Sequence, residues 1–417
     1  MSAKSLNTNK QIQIGKMNCT QTILNIRYAM LLLLLGMGAA GIAGEWRLDG
    51  NAFRADTVSN VLLANGMEQT HIILSNDGGR KIQLYVVRAD LREKGLGVRS
   101  FSGMDMSHGL EEISHVMKRA AAGGKSYLCG VNADFFTFKD GNSVGSQVMD
   151  GEVLVNQDQD GWCYMGVTRR GLPFISKPTA FVSCVISGKD TIFVDRINRS
   201  HDKDEWAMYT GRYGSSTGSE PCPELVLCPT GRTSKLSYGK PMRCKPVTLS
   251  TTGNCAIPDG CVVLSAPASE AEHLATLSHE GRLKVMLDVD MPGVRSRDIA
   301  EMVGGRPLIL SDGKPLDTMG EFAHLPQLHP RTAVGYSSDR RYLTLMVVDG
   351  RSEQSSGMTG RELADAMSEA GCTEALNLDG GGSSSLYTAR DGTVNVPSDG
   401  RERKVSNGIG IVRMGNR

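Results

Sequence analysis

Apolar and polar positions alternate most clearly in KIQLYVVRAD, residues 81–90, and a period of two over ten residues predicts a strand. Upstream, VLLANGMEQTHIILS (61–75) sets an Asn-Gly turn signal between two apolar runs, the pattern of a hairpin. In SHGLEEISHVMKRAAAGG (107–124) the period changes: Leu110, Ile113, Val116, Met117, Ala120 and Ala121 share one helical face, which stops at Gly-Gly. A strand, YLCGV (127–131), then runs into Asn132. Between 185 and 265 the apolar runs are short and broken by Gly, Pro and Ser, which predicts a mostly β insertion. VGGRPLILSDGK (303–314) reads as a strand entering an Asp-Gly hairpin turn.

The C-terminal third predicts more than separate elements. RTAVGYS (331–337) and RRYLTLMVVDGR (340–351) are strands divided by a few turn-forming residues, hence an antiparallel hairpin in which Arg331 faces about Met346 or Val347. TGRELADAMSEAGC (359–372) is a helix with a Thr359/Glu362 capping box, an apolar stripe of Leu363, Ala366, Met367 and Ala370, and Gly371 as its stop. EALNL (374–378) resumes as a strand. Strand, helix and strand over this length form a crossover that brings two parallel strands side by side, both carboxyl ends at one edge, where ligands of α/β sheets gather. Asp349, Asp379, Arg331 and His329 therefore belong to one rim. The fold class is α/β to α+β: a mixed β-sheet domain with flanking helices and a β-rich, cysteine-containing insertion.

Composition narrows this reading. At 417 residues and 40% hydrophobic the chain can bury a large core. A net charge of +1 and 5% aromatic residues offer no general attraction or stacking surface for nucleic acid, so no nucleic-acid partner is expected. The first 44 residues carry Lys4, Lys10, Lys16 and Arg27, no acid, and an apolar run from Ala29 to Ala43 that ends in small residues. They read as a bacterial-type secretory signal cut near Ala43. About 15 apolar residues fall short of the ~20 a span requires, so no stable membrane span is expected after cleavage. The expected product is exported, periplasmic or extracellular, with an N-terminal segment over 45–80 and the main domain over 81–417. Of ten cysteines Cys19 leaves with the signal, and clustering of the rest between Cys184 and Cys261 predicts disulfides. Zinc is the rival for Cys222/Cys228 and Cys255/Cys261, but C-x5-C is wider than the usual spacing.

The stretch LNLDGGGSSSL (376–386) places Asp379 before three glycines and three serines. Bare backbone lets a ligand approach and can aim successive N–H groups at an anion, although Asp-Gly-Gly is also ordinary turn chemistry. Arg331 adds a planar fork suited to phosphate or carboxylate. Neither a P-loop nor an H-E-x-x-H motif occurs.

With Asn132-Ala133-Asp134-Phe135-Phe136, Gly304-Gly305-Arg306-Pro307-Leu308, His329-Pro330-Arg331-Thr332-Ala333, Asp349-Gly350-Arg351, Asn377 to Ser384 and the segment Pro397 to Asn407, the chain resembles the phosphodiester glycosidase family in motif order. This is the family that includes N-acetylglucosamine-1-phosphodiester α-N-acetylglucosaminidase. The resemblance implies hydrolysis of a sugar 1-phosphodiester at its glycosidic C–O bond, giving free sugar and a phosphomonoester. It implies a carbohydrate or phosphosugar substrate, from glycan, exopolysaccharide or cell-wall material. Asp379, Asp349 and Arg331 take the catalytic places. The substrate-binding places go to Asn132, Asp134, Phe135, Gly305, His329, Arg351, Asn377, Gly380, Gly381, Gly382, Ser383, Ser384, Arg403 and Ser406. Asp134 departs from the N-A-G-F-F of the animal enzyme and adds a carboxylate, while Val396 and Lys404 depart from the Arg and Pro more usual in bacterial relatives. No cofactor is required by this scheme.

Two other readings use the same residues. Asp134, Asp349 and Asp379 would hold Ca2+ or Mg2+ in a metal-dependent phosphodiesterase that cleaves P–O. A glycan-binding protein without turnover would keep the pocket alone. The sequence indicates no oligomeric state.

Overall fold

The computed structural model describes residues 44–188, 190–317, 320 and 322–415. Residues 1–43 of the expected signal segment lie outside them. Strands dominate, as the short apolar runs predict, and gather into four sheets. Six elements position the site: β1 (Lys81–Asp90), β2 (Tyr127–Asn132), β3 (Arg331–Tyr336), β4 (Tyr342–Val348), α1 (Gly360–Glu369) and β5 (Glu374–Asn377). The largest sheet has nine strands. Gly44–Leu48, Asn51–Ala64 and Met67–Ser75 lead to β1, followed by β4, β3, β5, Leu308–Ser311 and Lys314–Pro315. Each neighbouring pair in it is antiparallel. The segment 45–80 thus extends the same sheet as β1.

One expectation changes here. The crossover from β4 through α1 does not set β5 beside β4, because β3 lies between them and pairs antiparallel with both. Two strands antiparallel to a common neighbour are parallel to each other, so their carboxyl ends still meet at one edge. The predicted hairpin closes one step further along than its spacing suggests, with Arg331 opposite Val348, and Arg340 in its turn adopts a left-handed conformation (φ 55°).

β4 is buried on both faces apart from Tyr342, which is why its run YLTLMVV shows no alternation. One face contributes Leu343, Leu345 and Val347 to a core shared with Val87, Val334, Leu376, Cys129, Val131, Met165 and Ile409, which joins the large sheet to both five-stranded sheets. In one of those, β2 lies between Leu386–Thr388 and Asn407–Arg413. α1 buries Leu363, Ala364, Ala366 and Met367, and its predicted capping box forms: Glu362 N–H donates to Thr359 Oγ1 at 3.1 Å, and Thr359 N–H to the Glu362 carboxylate at 2.9 Å.

The β-rich segment expected over 185–265 belongs to an eight-stranded sheet that starts earlier, at Ala180–Ser187, and ends later, at Leu283–Asp290. It contains the parallel pair Arg196–Ile197 with Ala207–Thr210. Cys228 and Cys261 form a disulfide across its antiparallel strands, linking one cysteine from each C-x5-C pair, while Cys222 and Cys255 remain thiols. Among the described residues no group of three or more His, Cys, Asp or Glu could hold a metal ion.

Candidate active site

At the edge where β4 and β5 end and β3 begins lies a cavity of about 230 Å³. Sheet register brings its parts together. Val348 pairs with Arg331 and Asn377 with Ala333, so the chain leaving β5 turns past the start of β3. Asn132, buried at the end of β2, holds that turn from below: its Nδ2 donates to the Asp379 carbonyl at 2.6 Å and its Oδ1 accepts from Thr332 Oγ1 at 2.9 Å and Ser385 N–H at 3.2 Å.

Asp379 is the only carboxylate among the described residues that line the cavity. Burial pushes its carboxyl up to about 6, against the Ser383 hydroxyl, the Gly380 amide at 2.9 Å and the charge of Arg403. The loop that follows differs from expectation. A nest of N–H donors is not formed, because four of the five amides from Gly380 to Ser384 are already taken. Gly380 N–H is taken by Asp379 and Gly381 N–H by the Pro330 carbonyl at 2.9 Å, and those of Ser383 and Ser384 close the 3-10 turn Gly381–Ser383. What the glycines supply is room. Gly381 has a left-handed φ of 61° and an arginine, Arg351, 3.1 Å from where a Cβ would stand; any side chain at Gly382 would collide with Arg403.

Anion-binding capacity therefore rests on guanidinium groups. Arg306, Arg331, Arg351 and Arg403 all line the cavity. Arg403 is paired with Asp399 at 2.6 Å and reaches Ser383 Oγ at 3.4 Å. Arg351 has His329 Nδ1 at 3.4 Å, and burial, with Arg331 and Arg351 nearby, lowers the His329 pKa so that the ring is neutral at pH 7. Arg331 lines the cavity with most of its donors tied to backbone carbonyls. It is 4% exposed, and its Nε and Nη2 donate to the carbonyls of Met358 (2.9 Å), His324 (2.7 Å), Leu325 (3.4 Å) and Gln327 (2.8 Å). Those bonds fold the 322–327 loop against the cavity as its wall, and burial lowers the arginine to about 10.

Phe135, His329 and Asn377 line the cavity as expected, and the Asn377 side chain donates to the Arg306 carbonyl at 2.7 Å. Asp349 does not line it. Its carboxylate accepts from Asn395 Nδ2 and Val396 N–H, both at 3.1 Å, and burial pushes it up to about 6. Asp134 is also turned away: Trp162 Nε1 and Gly145 N–H each donate to it at 2.9 Å, and burial pushes it up to about 7. The extra carboxylate anchors an indole behind Phe135. Ser383 and Ser384 are buried beneath the loop, Ser406 is buried with its carbonyl accepting from Gly103 N–H at 2.8 Å, and Gly305 lies against the Asn377 carbonyl. Asp134, Asp349 and Asp379 are thus not a common donor set for a divalent ion. Sequence reading did not single out Arg306, Phe322, His324, Leu325 and Leu378, which complete the lining. Arg306 follows Gly305 in the Gly304 to Leu308 stretch, where no periodicity marks it.

All lining residues except Phe135 fall within residues 239–412, which match the family described as phosphodiester glycosidase. Over that span the chain is similar to the phosphodiester glycosidase family. The SPbeta prophage-derived uncharacterized protein YomE of Bacillus subtilis (strain 168) is 43% identical over 99 residues, 23% of this chain and 15% of that protein. In fold, the chain is similar to a hypothetical protein from Synechocystis, with a TM-score of 0.66 at 17% identity over 86% of this chain and 64% of the other. It is also similar to a Burkholderia pseudomallei K96243 protein named as an exported one, with a TM-score of 0.67 at 17% identity over 88% of this chain and 100% of the other. The matched segment thus supplies nearly the whole cavity wall. No helix among the described residues is long and apolar enough to cross a membrane.

Proposed function

We propose that this chain is an exported hydrolase that cleaves a sugar 1-phosphodiester of glycan or cell-wall material at the anomeric C–O bond. In this reading residues 1–44 are its signal and 81–417 its working unit. The observation that carries the proposal is one cavity holding a single carboxylate, Asp379, among four arginines. Heterolysis of the anomeric bond builds positive charge on the ring and sends the electron pair to a phosphate oxygen. A carboxylate beside the ring and guanidinium groups beside the phosphate oppose both charges. A phosphate ester leaves as a weakly basic anion, so Arg351 and Arg403 over the bare Gly381–Gly382 backbone do by electrostatics what a carboxylic acid does in most glycosidases. Asp379 stabilises the ring cation and takes the proton of the water that bonds to C1. Asp349 acts at a distance, by holding the 395–396 segment. The products are free sugar and a phosphomonoester.

Hydrolysis in oxygen-18 water tests the bond that breaks. Label in the sugar hydroxyl is expected, and label in the phosphate would show P–O cleavage and end this reading. Binding of a good substrate with no product after prolonged incubation would point to a glycan-binding role.

A further inference from the structure

Four guanidinium groups are more positive charge than one phosphodiester can balance. Asp379 and Asp399 together offset two of them, the diester a third, and one remains. Its place is legible. Arg403 has Asp399 and Arg331 its four carbonyls, while Arg351 stands over Gly381, where the proposed phosphate lies. Arg306 lines the same cavity with a different set of contacts. Its guanidinium carbon is 4.1 Å from the Phe322 ring centroid and 5.5 Å from that of Trp162, and one of its nitrogens donates to the Asp160 carbonyl at 3.3 Å. Its Nε is buried without a hydrogen-bond partner, and among the described residues it forms no ion pair. Aromatic faces hold a guanidinium in place without neutralising it, and a charge left unpaired beside an apolar wall costs stability unless a ligand completes it.

We propose that Arg306, held by Phe322 and Trp162, is a second anion subsite, and that the natural substrate is a sugar 1-phosphodiester carrying a further carboxylate or phosphate. This rests on the reading of the cavity as a phosphate site, and deepens it by naming a substrate class. Asp134 supports the subsite indirectly, since its bond to Trp162 Nε1 fixes the indole against which Arg306 lies.

Calorimetric titration of the whole protein with two phosphomonoesters of similar shape, phosphoglycolate and 2-hydroxyethyl phosphate, separates the two claims. The first carries a carboxylate where the second has a neutral hydroxymethyl group. Phosphoglycolate is expected to bind about tenfold more tightly, the worth of one charge-assisted contact. In Arg306→Gln that ratio is expected to fall to within about twofold, and Arg306→Lys, which keeps the charge but not the planar fork, should keep part of it. Equal affinities in the parent protein would overturn the second subsite and leave the phosphate reading standing. So would a preference that survives Arg306→Gln. Binding of neither compound would overturn both.

Discussion

Asp379 sits where burial and hydrogen bonding compete, and burial wins, so its carboxyl is raised from the ordinary 3.8 to about 6. A group that must be ionised to accept a proton then limits the rate below that value. We expect kcat/KM to rise with pH through about 6 and to level off above it. Asp349 is raised to the same value, so the pH limb alone does not name the residue. Substitution does. Asp379→Asn should lower kcat by roughly 10²- to 10⁴-fold, the usual worth of a positioned acid or base. Asp349→Asn should weaken catalysis less and keep the limb near pH 6, because that carboxylate faces Asn395 and Val396 and not the cavity. A limb lost in Asp349→Asn and kept in Asp379→Asn would reverse the assignment.

The rim is an arrangement of elements, and the elements differ in how far the sequence discloses them. α1 is local: Thr359, Glu362 and the Leu363/Ala366/Met367 stripe lie within one short segment, and both bonds of the capping box form as read. The β3–β4 hairpin is nearly as local, and only its register shifts. Insertion of β3 between β4 and β5 is not local, since it is decided by which apolar faces the completed sheet can bury, and no spacing within 342–378 records that. The glycine loop misleads for a related reason. Three glycines suggest free amides, but whether those amides are free depends on Pro330, from another segment. Arg306 and Phe322 reach the cavity from loops far from Asp379 in the chain, without periodicity to mark them. The helix offers a test at this scale. Thr359→Ala removes the acceptor for the Glu362 amide and should cost about 1 kcal/mol, read as a lower denaturant midpoint with an unchanged slope. Glu362 also pairs with Arg80 at 2.5 Å, so the helix start would stay tied to the sheet and activity should survive.

At the scale of the whole molecule the buried acids set how stability varies with pH. Burial raises Asp134 from 3.8 and Glu301 from 4.5, each to about 7, and raises Asp349 and Asp379 to about 6. A carboxyl whose folded pKa lies above its unfolded one binds its proton more tightly when folded. Its stabilising share is complete below the unfolded value and is lost as pH climbs to the folded one, here between about 4 and 7. His71, His108, His201 and His329, lowered chiefly by burial, act in the opposite sense below their ordinary 6.5. His273, raised chiefly by its bond to Asp190, acts with the acids. Asp90, Glu111 and Asp150, lowered by arginine or lysine partners against a burial penalty, lose their contribution only as pH drops below the ordinary carboxylate range. The melting temperature should therefore be higher at pH 5 than at pH 7.5, by about 2–5 °C. Glu301 isolates one share of this. It is fully buried, its Oε2 accepts from Ser100 N–H and Oγ, both at 3.0 Å, and it lies outside the cavity lining. In Glu301→Gln the absolute melting temperature shifts with the altered bonds, but the difference between the two pH values should shrink. An unchanged difference would mean that Glu301 titrates alike in the folded and unfolded chain.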